Sequence, residues 1–339
     1  MLLVYLTSVR LHPVVLSAVF SGFFLASGFL GHQFLSVESS TYESDLIQRA
    51  LLAQVETPVN VVNNSAAASP SPRIASSLHA LKENPKYLGR PLRILQIGDS
   101  HTAGDFFTER VRSSLQSLFG NSGIGWILPG FVPGQSAARY EVSSSGDWTL
   151  TLPSSSSRSE APLGGRRIIK KKRGRVVVRP LLRSPGRWTF GTLVRSAGTG
   201  RVSKFRLGAG GLHSEEYSVG SEWTAVSFST LSPQASQYWL KVDSGRLDIA
   251  SFWLESDQPG VVVDHVGRNG ATLDIMQRWS DKAIAAQLNA RPVDFIVLAY
   301  GTNEAVGSFS ADRYGAVING VVEKLKKNWK LLLSPLLFF

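Results

Sequence analysis

The stretch LQIGDSHTAGD, residues 95–105, constrains this chain more than any other. The run PLRILQIG (91–98) is short and apolar and follows a proline, the pattern of a strand buried on both faces of a parallel sheet. It stops at Gly98-Asp99-Ser100-His101. Apolar residues then recur at helical spacing: Phe107, Val111, Leu115, Leu118 and Phe119. Arg110, Arg112 and Gln116 are expected on the opposite, polar face of that helix. A buried strand feeding a helix through a tight polar turn is the building unit of an open α/β sheet.

The same alternation returns late in the chain. GVVVDHVG (260–267) reads as a strand, TLDIMQRWSDKAIAAQLNA (272–290) as a helix, and VDFIVLAYG (293–301) as a second buried strand. SADRYGAVINGVVEKLKKNW (310–329) is a helix with Tyr314, Ile318, Val321, Val322 and Leu325 on one face. KLLLSPLLFF (330–339) reads as the start of another strand. Between the two α/β segments, residues 136–258 are rich in Ser, Gly and Trp, with short alternating runs separated by turn signals at roughly ten-residue spacing, the signature of a β-sandwich. The expected fold is therefore an α/β domain with a parallel sheet, interrupted by an inserted β-sandwich. There is no internal repeat.

Charge is concentrated in the interruption. From Arg158 to Arg206 there are 15 Lys/Arg and one acid, Glu160, whereas the whole chain carries a net +11. The stretch 166–187 is a candidate surface for an anionic polymer. Its simplest alternative is a solvated hairpin with alternating basic positions. The tryptophans at 148, 188, 223, 239 and 253 have the flat apolar faces that stack on sugars, but most are expected in the sandwich core. With no cysteine, disulfides and thiolate metal sites are excluded.

The N-terminus reads as an export signal. Arg10 and His12 precede an uncharged apolar run, and Ala26-Ser27-Gly28 supplies small residues at which a signal peptidase cuts. The run borders on the length of a membrane span, so residues 11–31 are expected either to be removed or to anchor the chain to the membrane. Residues 32–90 read as a short helix, with Leu46, Ala50 and Leu51 at helical spacing, and a Ser/Ala/Asn/Pro-rich linker. The organisation expected is thus 1–31 leader or anchor, 32–90 helix and linker, 91–135 and 259–339 the α/β domain, and 136–258 the β insertion. Export, to the periplasm or cell envelope, argues against nucleic acid as a partner.

A serine at the strand-to-helix turn sits at the C-terminal edge of the sheet, where open α/β folds bind ligands. Its amide lies where the helix dipole favours negative charge. A nucleophile there is beside a donor for the oxyanion that its attack creates. Asp99 reads as a brace of the turn, and the His101 side chain is expected to diverge from its neighbour Ser100. Asp264 and His265 are adjacent in a strand, so they face opposite ways and cannot form a paired relay.

GDSH (98–101), NGATL (269–273) and YGTNEA (300–305), in this order and each after a predicted strand, resemble the blocks of the SGNH, or GDSL-type, hydrolase family. The resemblance implies a flavodoxin-like, three-layer parallel-sheet fold and a serine carboxylic-ester hydrolase. It assigns Ser100 as nucleophile, with the Gly270 amide and the Asn303 side-chain amide completing the oxyanion hole. No metal or organic cofactor is implied. Within the family, GDSHTAGDFFTERV, GIGW (123–126) and the β-rich insertion look most like peptidoglycan O-acetylesterases, whose insertion resembles a carbohydrate-binding module. The partner implied is an acylated cell-wall polysaccharide such as peptidoglycan. One family element is missing: no Asp-x-x-His occurs, and no histidine is among the 36 residues after Asn303. A truncated C-terminus and an impaired enzyme are therefore expected. The alternatives are a catalytically inactive glycan-binding protein of the same fold and a polysaccharide O-acyltransferase.

Overall fold

The computed structural model describes residues 2–6, 91–130, 135–152, 160–170, 173–182, 186–198, 200–230, 235–306 and 310–328. Its strands are β1 (Leu2–Leu6), β2 (Leu92–Gly98), β3 (Gly123–Ile127), β4 (Tyr140–Ser145), β5 (Trp148–Thr151), β6 (Arg167–Lys170), β7 (Gly174–Pro180) and β8 (Trp188–Ser196). They continue as β9 (Ser203–Ala209), β10 (Leu212–His213), β11 (Tyr217–Val219), β12 (Thr224–Ser229), β13 (Tyr238–Ser244), β14 (Leu247–Ser256), β15 (Val261–Gly267) and β16 (Phe295–Ala299). The helices are α1 (Ser100–Ala103), α2 (Phe106–Phe119), α3 (Asp281–Ala290), α4 (Thr302–Val306) and α5 (Ala311–Asn328), with a 3₁₀ segment at Leu273–Arg278.

The two apolar runs that flank the long interruption pair on either side of β2. Strands β15 and β16 are both parallel to it, with Gly267 and Ala299 each in register with Gly98. Strand β1 adds antiparallel to the outer edge of β16. The four-stranded order is β1-β16-β2-β15. Helix α5 buries Ile318, Val321, Val322 and Leu325, the face read from its spacing, in a cluster with Leu95, Ile97, Ile296 and Leu298 of the strands.

The alternating runs between β2 and β15 form two antiparallel sheets of six strands each. One runs β10-β9-β13-β7-β4 with β11 on β9; the other runs β12-β8-β14-β6-β5 with β3 on β14. Inward residues of both, among them Val176, Phe205 and Leu240 of the first and Phe190, Phe252 and Leu254 of the second, share one apolar cluster. Strand β3, GIGWI, lies before residue 136 in sequence yet pairs with β14, Trp126 opposite Trp253. Trp188, Trp239 and Trp253 are buried, whereas Trp148 and Trp223 are half-buried beneath Lys170 and Arg195.

A buried ion network joins the parallel sheet to the second antiparallel sheet. Arg93 of β2 and Arg291, after α3, both bond Glu255 of β14, and Arg291 also bonds Asp264 of β15 at 2.6 Å. Asp264 in turn accepts from the Trp126 amide at 2.6 Å.

Two sequence readings need amendment or lie elsewhere. Arg112 and Gln116 are buried, not on a solvated face. That face of α2 lies on β15, where the Arg112 guanidinium is neutralised by Asp105 and Glu109 and bonds the Val263 carbonyl, while Gln116 bonds the carbonyls of Gly123 and Val261. The apolar run 11–31, the linker 32–90 and the run 330–339 lie outside the described residues. Among the described residues, no helix is long and apolar enough to cross a membrane.

Candidate active site

The three blocks leave the same edge of the parallel sheet, at the C-terminal ends of three neighbouring strands. Gly98 ends the central one. A Cβ there would lie 2.2 Å from Thr102 Oγ1 and 2.6 Å from the Ala299 carbonyl oxygen, so only glycine lets β2 turn so closely beside β16. Asp99 is 2% exposed and caps α1 by accepting from the His101 amide at 3.0 Å. Its role as a brace is as read from the turn. Thr102, buried behind the turn, accepts from Gln96 Nε2 at 2.8 Å. Ser100 thereby becomes the first residue of α1 and is exposed.

The other two blocks are tied to this turn and to each other. The Arg268 amide donates to the Gly98 carbonyl at 3.0 Å, which sets the loop carrying Gly270 against the serine turn. Gly270 has φ 66° and open space beside its Cα, a left-handed position that glycine occupies without steric cost. Asn303 Nδ2 donates to the Ala271 carbonyl at 2.8 Å. One Nδ2 hydrogen makes that bond, which leaves the second available to a ligand. The structure thus gathers Ser100, Gly270 and Asn303 on loops in contact, one from each strand.

Glu304 is the residue that sequence reasoning missed. Its two carboxylate oxygens accept from the Leu273 amide at 2.7 Å and the Gly301 amide at 3.0 Å, clamping the second block to the third. Its signal was present as an acid in the first turn of a helix, the position that satisfies orphan backbone donors. Tyr300 is buried, and its hydroxyl has no hydrogen-bond partner among the described residues. Burial, reinforced by the charges of Asp99 and Glu304, raises its phenol far above the ordinary value.

The overall fold has a solved counterpart. Superposed on a structure of a peptidoglycan O-acetylesterase, the chain gives a TM-score of 0.62 at 24% identity, over 74% of this chain and 68% of that one. The fold is shared with a known esterase structure. Carbohydrate-binding modules align with smaller parts of the chain. One from Cellvibrio mixtus lichenase, in complex with cellotriose, gives a TM-score of 0.22 at 14% identity over 27% of this chain and 78% of the module. One from Clostridium stercorarium, in complex with cellobiose, gives 0.28 at 17% identity over 40% and 96%. No family model matches the chain, and no curated protein matches it in sequence.

The histidines separate into distinct roles. His101 Nδ1 lies 3.1 Å from Asp99 Oδ1, so the ring beside Ser100 is oriented by a carboxylate while 61% of its side chain stays exposed. His265 is buried with Nδ1 between Arg112 Nη2 at 3.2 Å and Asp105 Oδ1 at 3.3 Å. Burial lowers its pKa, with Asp105 opposing and Arg112 adding to the effect, so the imidazole is neutral at pH 7. Asp264 faces away toward Arg291, as the strand alternation requires. No described side chain hydrogen-bonds the Ser100 hydroxyl. Among the described residues, no group of three or more His, Asp or Glu is arranged to hold a metal.

Proposed function

We propose that this chain is an exported serine esterase of the SGNH type that removes O-acyl groups, O-acetyl foremost, from a cell-wall polysaccharide such as peptidoglycan. The observation that carries the reading is the convergence of the three blocks at one sheet edge, with the exposed Ser100 in the first turn of α1. The fold shared with a peptidoglycan O-acetylesterase supports it. Ser100 attacks the ester carbonyl. Its own amide, the Gly270 amide and the free N–H of Asn303 receive the oxyanion. The β-rich segment 136–258, read as an inserted module, holds the polymer, and its basic stretch 166–187 suits an anionic one. The N-terminal segment directs export.

The test is hydrolysis of p-nitrophenyl acetate by the whole chain beside its Ser100→Ala variant. A slow rate that depends on Ser100 is expected, because no described side chain bonds its hydroxyl, and a serine with no base in place retains only about 10³–10⁴-fold catalysis over water. A rate unchanged in Ser100→Ala overturns the reading. A second reading, a glycan-binding protein that keeps the fold without turnover, is favoured by the lack of any hydrogen bond to the Ser100 hydroxyl from a described side chain. It predicts polysaccharide binding with no Ser100-dependent rate at all. Fast turnover points instead to His101 as base, since Asp99 already orients its ring.

A further inference from the structure

Every other deeply buried arginine in the described residues has carboxylates around it: Arg112 has Asp105 and Glu109, and Arg291 has Glu255 and Asp264. Arg166 does not. It is 4% exposed, and its one hydrogen bond among the described residues is from Nη2 to the Gly267 carbonyl at 3.1 Å. No described carboxylate forms an ion pair with it. Burial pulls its pKa down to about 10, and although Tyr140 opposes this, Arg268 adds a second positive charge nearby. The guanidinium is still charged at neutral pH. A buried charge without a counterion is expensive, and proteins keep one where a ligand supplies the other sign.

Arg166 lines a cavity of about 330 Å³ between the parallel sheet and the antiparallel strands. Gln135 lines it too. Its Nε2 donates to the same Gly267 carbonyl at 3.0 Å, while its Oε1 is buried with no partner among the described residues. The remaining wall is largely apolar, with Ala103, Leu128, Val142 and the Tyr140 ring. His265 closes one side but is engaged with Arg112 and Asp105. Ser136 and Glu141, also on the wall, are exposed, so the space has a mouth to solvent. Ala103 belongs to the helix that begins at Ser100, and Gly267 directly precedes the Arg268–Gly270 loop. The cavity therefore adjoins the candidate site on its antiparallel-sheet side.

We propose that this cavity binds a monocarboxylate group of an acidic sugar unit, the carboxylate on Arg166 and an adjacent hydroxyl or amide N–H on Gln135 Oε1. The volume is at the lower end for small-molecule sites and suits one sugar unit, not an oligomer. Among the described residues, Arg166 is the one guanidinium on the cavity wall, Arg268 does not line it, and Glu141 on the same wall is exposed, so the lining suits one negative charge better than a phosphate dianion. That the ligand is a sugar rests on the function proposed above; that it carries a carboxylate does not.

The experiment is calorimetric titration of the whole chain at neutral pH with glucuronate, glucose and inorganic phosphate. Glucuronate is expected to bind with a Kd of roughly 1 mM, and glucose about tenfold more weakly or worse. Arg166→Gln should lose about tenfold or more, Arg166→Lys less, and Ser100→Ala nothing. Should Arg166→Gln fail to fold, Gln135→Glu, which places a carboxylate opposite the incoming one, must abolish glucuronate binding. Equal binding of glucuronate and glucose, tighter binding of phosphate, no binding of any, or indifference to both substitutions overturns the proposal. Failure of the esterase reading is seen separately, as p-nitrophenyl acetate hydrolysis that does not depend on Ser100. Glucuronate binding that survives that failure leaves the carboxylate site standing.

Discussion

At the scale of single residues the candidate site depends on backbone donors held still by side chains. Asn303 is expected to matter through its remaining N–H, so Asn303→Ala should lower any Ser100-dependent kcat by about 10²–10³, the cost of one oxyanion donor, with little change in KM. Both carboxylate oxygens of Glu304 are taken by backbone amides. Glu304→Ala should lower kcat by freeing the Leu273 and Gly301 amides, and Glu304→Gln should recover only part of it, because the amide has one acceptor oxygen for two donors. Steady-state kinetics on p-nitrophenyl acetate for the three variants separates these outcomes; a Gln variant no better than Ala would deny the clamp. The placement of Ser100, Gly270 and Asn303 at one sheet edge was legible in the sequence because each lies in a short motif behind its own strand. Glu304, Gln135 and Arg166 were not legible in these roles. Their distant partners are Leu273 for Glu304 and Gly267 for the other two, 31, 132 and 101 residues away, and no local pattern encodes that pairing; only the Glu304 bond to the Gly301 amide, three residues away, is local.

At the scale of elements, the parallel strands and the apolar face of α5 followed from periodicity, whereas the polar face of α2 did not. Period reports which side chains are apolar. It is silent on whether a charged one is solvated or is buried with partners. Arg112 is of the second kind, at 2% exposure with Asp105 at 1%. Asp105 is also the one non-glycine with a left-handed backbone among the described residues, φ 59°, and it is held there by Arg112 and the Ala138 amide. Arg112→Met should therefore destabilise by about 3–5 kcal/mol, because it strands the Asp105 charge, and the double variant with Asp105→Asn should recover part of the loss. Urea denaturation of the single and double variants measures this; equal losses in both would show that the guanidinium acts only by packing. The turn at Gly98 is a second such element. Gly98→Ala forces β2 away from the Ala299 carbonyl and is expected to cost about 1–3 kcal/mol.

At the scale of the whole molecule, carboxylates held below their ordinary range set the acid limit of stability. Burial alone would raise Glu255, but Arg291 and Arg93 outweigh it and lower its pKa from 4.5. Glu109 is likewise lowered from 4.5, burial opposing and Arg139 and Arg112 prevailing. A carboxylate depressed on folding stabilises above its unfolded pKa and loses that contribution as pH falls through the folded one. The melting temperature should be level around neutrality and fall steeply below pH 4.5, with Arg291→Met flattening the fall because one of the two arginines that depress Glu255 is gone. The network behind this has another consequence. Arg93, Glu255, Asp264 and Arg291 come from β2, β14, β15 and the end of α3, and the two shared members, Glu255 and Arg291, are fully matched only when all four are in place. Half-docked arrangements leave charges buried and unmatched, so they lie high in free energy. The parallel sheet and the antiparallel sheets are thereby coupled into one cooperative unit: a calorimetric scan should show a single endotherm, and Arg291→Met should split it in two.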